Sequence, residues 1–466
     1  MPGGEGRPEV FASTPDTITK SAFCIKTLTL IILTCQIPFY PLQRLYSLMS
    51  EISPQPESLA ENDHRKLGQK LELFTFSDLV GSGLPLWLPK GATIRRILER
   101  FIVDTEIAWG YSHVYTPDIA KLDLYKTSGH YPYYKDSMYA PVEIDEHEFM
   151  LRPMTCPHHF QVYADRPRSY RELPLRIAEL AKLYRYEGSG ELSGLVRVRS
   201  FCLSDAHIIC ADKIQAGEEV GRALDLIEHV ASVFGLTLGE NYSYRLSLGD
   251  RNDETKYYKN DAAWEESEAL LREVLQKRGG NFVEANGEAA FYGPKIDIQM
   301  KDARGKENTA FTVQYDFCMP DRFNLTYIAS DGSEKRPVVV HRSSIGAIER
   351  VMAFLIEHYA GAFPLWLAPV QVKLLPISET HFSYTKEVYD TLLKAGIRVE
   401  LDESNESLGK KVRNAKLEKV PYYIVIGDQE MNGQSLGIEH RDHGKIGSLS
   451  IHDFLNRINE EIAAKK

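Results

Sequence analysis

The stretch from Leu180 to Cys210, LAKLYRYEGSGELSGLVRVRSFCLSDAHIIC, concentrates residue types that handle anions and amines. Leu183-Tyr184-Arg185-Tyr186-Glu187 alternates toward a Gly- and Ser-rich segment, Gly188 to Gly194, which is turn chemistry. Val196 to Phe201 alternates again on the way back. The reading is two strands joined by a loop, and the period of two puts Arg185 and Glu187 on one face. A pocket on that face would hold a guanidinium for phosphate, a carboxylate for an amine or a base edge, and an aromatic plate in Phe201. The pattern alone also fits a surface hairpin with solvated charges.

Such groups need a scaffold. A chain of 466 residues should hold two or three domains, and 43% hydrophobic residues suffice for large cores. The net charge of -10 excludes a general nucleic-acid coat, while leaving room for an RNA met through a local basic face. Six cysteines (24, 35, 156, 202, 210, 318) form no CxxC pair and no disulfide-like framework, which points to a reducing cytoplasm. Leu88-Pro89-Lys90-Gly91 reads as a turn, and Ala92 to Gly110 as a helix with Ile94, Ile97, Leu98, Phe101 and Ile102 on one face. Ser112 to Thr116 is a strand ended by Pro117. Ile214 to Phe234 and Lys256 to Arg278 are amphipathic helices. Ala289 to Asp297, Ala310 to Phe317 and Val338 to Arg342 read as strands, the last feeding a helix that runs to Tyr359. After a hinge-like break at Ala368-Pro369, strands and helices alternate to Ala464, the pattern of a small α/β domain with a mixed sheet.

The Arg-x-Glu strand, variable loop and Arg before Phe resemble motif 2 of the class II aminoacyl-tRNA synthetases. YRYEGSGELSGLVRVRSF followed by SDAHIIC is similar to the threonyl members. The helix and strand before Pro117 resemble motif 1, which forms the dimer interface in that family. HRSSIGAIER resembles motif 3. The resemblance runs from about Asp63 to the C-terminus. It implies an α+β protein: a class II catalytic domain on an antiparallel sheet, residues 63–367, and a C-terminal α/β anticodon-binding domain with a mixed sheet, residues 368–466. The implied reaction is a threonine–tRNA ligase's: threonine is activated with Mg2+-ATP to threonyl-adenylate and passed to the 3' end of tRNA(Thr) by a homodimer. Arg185, with Arg197 nearby, would neutralise charge at the α-phosphate, and Arg350 would lie over the adenine and reach the terminal phosphate. Met154, Glu187, Phe201, Asp205, Tyr292, Lys295 and Gln314 would line the substrate pockets. His130, in Ser128-Gly129-His130, would sit beside the tRNA's terminal adenosine, where a near-neutral pKa suits proton transfer from a ribose hydroxyl.

No spacing rule links Cys156, His207 and His341, which lie on separate elements. The resemblance marks all three as zinc ligands, in PMTCP, DAH and the His before Arg of motif 3. One thiolate and two imidazoles leave a tetrahedral zinc with one open position. His158 and His159 are competing ligands; His159 matches a family His, and His158 stands where Gly is usual. Threonine and valine are nearly isosteric, so an apolar pocket separates them poorly. Zinc could bind the amine and the β-hydroxyl together, with Asp205 accepting from the hydroxyl. Serine keeps both groups and lacks only a methyl, a difference of roughly 1–3 kcal/mol, so serine misactivation is expected.

In the tail domain Asn405, Arg413 and Glu430 match family anticodon contacts. Glu439 stands where Arg is usual, with Arg441 two places on, and Leu203 replaces a common Gln near the substrate. Residues 1–62 match nothing: an apolar run, Leu28 to Cys35, is far short of the roughly 20 residues that span a bilayer, and Met49 is a possible true start. They are too few to hold the family's two further N-terminal domains, one of which hydrolyses seryl-tRNA. The expectations are no cis editing, a separate trans-editing protein, no membrane, and a cytoplasmic enzyme. The alternative is a synthetase-like paralogue that activates threonine or binds RNA without charging tRNA(Thr).

Overall fold

The computed structural model describes residues 59–466 apart from Glu254 and Gly280. The expectations about the N-terminal extension and Met49 fall outside the described residues.

An eight-stranded sheet carries the larger lobe. Its order is Phe282–Asn286, Tyr242–Leu248, Lys295–Lys301, Glu307–Asp316, Val338–Ser343, Ser200–Cys210, Leu175–Tyr184 and Ser112–His113. Only the two outermost pairings are parallel; the strands between them run antiparallel. One face is roofed by helices. Lys213–Val233 buries Ala216, Val220, Ala223, Leu224, Ile227 and Val230, a 3.6-residue stripe. Asp212 caps it, its carboxylate accepting from the N–H groups of Ile214 and Gln215. Ile348–His358 is buried nearly throughout, because it lies between the sheet and the helices Pro89–Ala108 and His64–Lys70. A smaller three-stranded sheet, Ile119–Lys121, His147–Leu151 and Val142–Ile144, leads the chain to Cys156.

The second lobe is a five-stranded mixed sheet in the order Val399–Leu401, Val372–Pro376, Tyr422–Ile426, Leu436–His440, Gly444–Leu449. The first three strands are mutually parallel and the last two antiparallel. Phe382–Lys394, Leu408–Leu417 and Ile451–Ala463 cover it.

Several boundaries differ from the sequence reading. Leu88–Gly91 is no turn: Pro89 opens the helix Pro89–Ala108, where its missing N–H costs nothing and its fixed φ suits the first turn. The second long helix starts at Asp261, capped by Asn260, rather than at Lys256. The strand expected from Ala289 begins at Lys295; a tight turn precedes it, bridging Ala290 and Gly293. Gly293 is required there, since a Cβ would lie 1.8 Å from the Tyr315 carbonyl oxygen. Ala368-Pro369 is not a free hinge. Leu365, Trp366, Leu367 and Ala368 are buried, and the Arg398 guanidinium donates to the carbonyls of Leu365, Trp366 and Ala368.

Candidate active site

Four residues from far-apart segments stand in one row across the sheet. Lys295 pairs with Gln314, Gln314 with His341, and His341 with His207, each directly opposite the next on adjacent strands. Side chains directly opposite share a face. The row therefore brings together what sequence separation hides.

The row meets Cys156 at one end. Arg152 fixes the approach: its guanidinium donates to the Lys182 carbonyl (2.7 Å), to Thr116 Oγ1 (2.7 Å) and to Glu179 (3.0 Å). Four residues on, Cys156 begins the helix Cys156–Tyr163. The donor atoms of Cys156, His207 and His341 lie within 4.8 Å of one another, and all three residues are buried. The rings of His207 and His341 are 4.5 Å apart at 83°. Burial and the carboxylates of Asp205 and Asp316 push the Cys156 thiol well above its usual range. Burial, His341 and His159 hold His207 far below its usual value. A buried soft donor beside carboxylates and two imidazoles is a set that a divalent cation relieves on displacing the thiol proton. The residues fit zinc.

His158 and His159 stay outside this cluster. His159 Nδ1 is 2.8 Å from His207 Nδ1, so it backs His207 from outside the set. His158 turns the other way, edge-on to Tyr125. A second cluster, Asp63, His64 and Glu357, is internally satisfied: His64 Nδ1 meets Glu357 at 2.6 Å, its Nε2 accepts from the Leu195 N–H, and Asp63 holds Arg65.

Beside the row opens a cleft of about 440 Å³. Every residue assigned above to catalysis, substrate or metal in this lobe lines it, except His130. The motif 2 strands end sooner than their alternation suggests, at Tyr184 and from Ser200, so Arg185, Glu187 and Arg197 lie in the connecting loop. Arg185 and Glu187 nevertheless line the cleft while Tyr186 points to solvent. Arg185 stacks over Phe201, 5.0 Å from the ring centre, and donates to the Pro153 carbonyl and toward Met154 Sδ. Arg350 donates to the carbonyls of Val196 (2.9 Å) and Thr309 (2.6 Å). Burial, with Arg185 and Arg197 close by, lowers Arg350 to about 10, so it remains cationic at neutral pH. Arg197 pairs with Glu187 at 2.8 Å. Buried like charges with few counter-charges are an arrangement that a polyanion completes.

The opposite end of the cleft is polar and fixed. The Tyr292 hydroxyl donates to Gln314 Oε1, and the Gln314 amide donates to Thr312 Oγ1. Lys295 is held at 2.7 Å by Asp297. Burial raises the Asp205 carboxyl, against the pull of His159 and His341.

His130 is 1% exposed and sits behind Cys156, its Nε2 3.7 Å from the sulfur. Ser128 Oγ meets its Nδ1 at 2.8 Å. Burial, with His341, Arg185 and Arg322, lowers it to about 3, so it is neutral.

Sequence reasoning missed Glu179 and Asp316, which stand behind the two histidines. A signal existed for one: Asp316 follows Gln314 by two residues on an alternating strand, hence on the same face.

In the second lobe Asn405 and Arg413 are exposed. Glu430 is partly spent at home, accepting from the Gly427 N–H at 3.0 Å. Glu439 accepts from the Tyr423 hydroxyl at 2.5 Å across the sheet. Arg441 does not substitute for it; it donates to the carbonyls of Phe363 and Lys419.

Residues 139–359 match the family described as tRNA synthetase class II core domain (G, H, P, S and T), and residues 371–461 the family described as anticodon binding domain. The chain is 50% identical over 412 residues to the threonine–tRNA ligase of Geobacillus kaustophilus, covering 88% of this chain and 62% of that one. Against the Oceanobacillus iheyensis threonine–tRNA ligase it is 49% identical over 433 residues, 91% of this chain and 66% of that one. It thus spans slightly under two thirds of these curated relatives. Among solved structures, one described as the RNA binding domain of threonyl-tRNA synthetase from Cryptosporidium parvum Iowa II aligns with a TM-score of 0.80 at 37% identity, covering 86% of this chain and 98% of that one. A putative threonyl-tRNA synthetase from Aeropyrum pernix aligns with a TM-score of 0.75 at 28% identity, covering 86% and 97%. With the paired core and anticodon-binding lobes, these likenesses mean that the chain belongs to the threonyl-tRNA synthetase family of class II.

Proposed function

We propose that the protein is a threonine–tRNA ligase that uses zinc to select threonine. The observation that supports this most is the convergence of Cys156, His207 and His341 on the same sheet face, and in the same cleft, as Arg185 and Arg350. When bound, zinc supplies a Lewis-acid position that the amine and β-hydroxyl of threonine can share and valine cannot. Asp205 accepts from the hydroxyl; Gln314 and Tyr292, locked to each other, shape the wall around it.

In the first step the threonine carboxylate attacks the α-phosphate of Mg2+-ATP, a phosphorus–oxygen bond forms, and pyrophosphate leaves. Arg185, fixed by Phe201 and Pro153, meets the charge that grows on the phosphate, while Arg350 orients the triphosphate. Preorganisation is the point: each guanidinium is held by backbone carbonyls before substrate arrives. In the second step a ribose hydroxyl of the 3' adenosine attacks the adenylate carbonyl and AMP leaves. His130 is the candidate base. It is neutral, as a base must be, but Ser128 occupies its Nδ1 and the Cys156 sulfur lies 3.7 Å from its Nε2, behind the cleft, so proton transfer requires the ring to turn toward the ribose hydroxyl.

Asn405 and Arg413 are the anticodon contacts we retain. Exposed Lys410, Arg413 and Lys416 lie along the helix Leu408–Leu417 and suit a phosphate backbone. The helix Pro89–Ala108 and strand Ser112–His113 are proposed as the homodimer interface. No helix among the described residues is long and apolar enough to cross a membrane; a cytoplasmic site of action is part of this proposal. Serine retains both zinc-binding groups, so clearance of serine charged by mistake falls to a hydrolytic site elsewhere, in this protein or in a separate one.

Threonine-dependent ATP–pyrophosphate exchange and tRNA(Thr) charging, measured before and after zinc removal, test the reading. Exchange that needs threonine, is lost with zinc and returns on its addition is expected. Exchange driven equally by valine, or unaffected by a zinc-free preparation, would overturn it.

A further inference from the structure

Two buried hydrogen-bond chains run to the histidines of the proposed metal centre. In the first, His159 Nδ1 and His207 Nδ1 are 2.8 Å apart, and a single proton lies between them. The other nitrogen of His159, Nε2, is 3.3 Å from Glu179 Oε2. Glu179 also accepts from Thr116 Oγ1 at 2.7 Å, the Thr116 N–H at 3.2 Å and Arg152 at 3.0 Å, so it is a carboxylate and can only accept. Arg152 is shared with Asp118, 3.0 Å from its other terminal nitrogen. His159 therefore carries a proton on Nε2, and because its Nδ1 occupies His207 Nδ1, Nε2 is the nitrogen His207 has left for a metal. A metal at that nitrogen requires the His207 proton on Nδ1, with His159 Nδ1 accepting it. A neutral imidazole has one N–H, so His207 Nε2 is bare.

The second chain is shorter. Asp316 Oδ1 accepts from the N–H groups of Cys318 (2.8 Å) and Met319 (2.9 Å), and its Oδ2 lies 2.7 Å from His341 Nε2. Asp316 thus occupies His341 Nε2 and leaves Nδ1 as the nitrogen His341 can offer to a metal. Glu179 is 2% exposed and His159 and Asp316 are 0% exposed, so water does not compete for these protons.

We infer that Glu179, acting through His159, and Asp316 are positioning residues that set the tautomers of the two ligand histidines in advance, presenting His207 Nε2 and His341 Nδ1 to the metal. The inference rests on the metal centre proposed above. It goes further in assigning opposite ring nitrogens to two histidines that face each other across adjacent strands. Outer partners of this kind typically carry 10–100-fold in metal affinity.

Asp316→Asn is the sharpest test. The two backbone N–H groups hold the amide oxygen, which aims the amide N–H at His341 Nε2 and reverses its tautomer. His159→Leu removes the acceptor for His207 Nδ1–H, and His159→Gln returns an acceptor oxygen. Zinc affinity of the full chain is measured by competition with a chromophoric chelator, and Co2+ is substituted for its visible ligand-field spectrum. We expect zinc affinity to fall 10–100-fold in Asp316→Asn and His159→Leu, an altered Co2+ spectrum in both, and substantial recovery in His159→Gln. Wild-type affinity and spectrum in both of the first two variants would overturn the inference while leaving the metal centre intact. A wild-type protein that takes up no zinc would instead overturn the metal centre. Should a variant not fold, 15N spectra of ring-labelled histidine in the zinc-free wild-type protein decide: His207 protonated on Nδ1 is expected, and His207 protonated on Nε2 would overturn the inference.

Discussion

Glu106 is 1% exposed and serves several partners at once. Its Oε1 accepts from Arg342 (2.5 Å), Ser204 (2.6 Å) and Ser344 (2.7 Å), and its Oε2 lies 2.9 Å from His113. Arg342 follows His341 and Ser204 precedes Asp205, so this carboxylate props the sheet from behind the site. Burial alone would raise its pKa; Arg342, His113 and the serine hydroxyls overcome that and bring it to about 2. A carboxylate depressed in the fold stabilises it fully above the unfolded pKa, here 4.5, and loses that contribution as pH falls toward 2. Urea midpoints of the wild type and Glu106→Gln should therefore differ most at pH 7 and converge between pH 4.5 and 2. A difference that does not shrink with pH would mean the loss is steric. The sequence pointed to little of this. Glu106 sits in a helical pattern as one more polar residue, and only the packing of helix against sheet turns it inward. Of the cleft residues, Arg185, Glu187 and Phe201 were legible from alternation, a local signal, whereas Met154, Asp205, Tyr292, Lys295 and Gln314 came from family likeness. The clustering of Cys156 with His207 and His341 came only from family likeness, because strand pairing between distant segments leaves no spacing to read.

Elements were recovered more fully than their ends. Alternation identified the motif 2 strands, yet carried on past Tyr184 because a loop residue that also faces the cleft keeps the same in–out order. Pro89-Lys90-Gly91 looked like a turn since Pro and Gly mark both turns and first helical turns. Strand Gly444–Leu449 was overlooked: its outward, Gly- and Lys-containing pattern has little apolar periodicity, as an edge strand's commonly does. The Gly293 turn is the most tightly packed of these connections. A methyl group there must displace the backbone at Tyr315, next to Asp316. Gly293→Ala should lower the thermal midpoint by several degrees, roughly the effect of 1–3 kcal/mol of overpacking. It should also weaken threonine-dependent exchange, since Lys295 and Gln314 shift with the strand. Calorimetry and exchange assays check both effects; an unchanged melting point would show that the turn gives way.

The two lobes meet along the segment that sequence reading took for a hinge. Trp366 stacks parallel to Phe234 at 6.4 Å and packs 5.6 Å from Phe101, tying the connecting segment to the two long helices of the larger lobe. Arg398 and Arg441 close it from the smaller lobe through carbonyl oxygens. Trp366→Ala should cost about 3–5 kcal/mol, the range for deleting a large buried aromatic. It should also split a single denaturation transition, followed by tyrosine fluorescence and far-ultraviolet circular dichroism, into two. A single transition at the wild-type midpoint would mean the lobes are joined mainly through the arginines.

The row Lys295, Gln314, His341, His207 has a consequence for what changes in length this protein can accept. Each member owes its place to its count along a strand, and one residue added or removed within any of the four strands would send that side chain through to the helix-covered side. Exposed loop positions between those strands, such as 330–333, carry no such restriction and can grow or shorten at small cost. Deletion scanning should accordingly find intolerant windows at Lys295–Lys301, Glu307–Asp316, Val338–Ser343 and Ser200–Cys210, with tolerated changes at exposed loop positions such as 330–333.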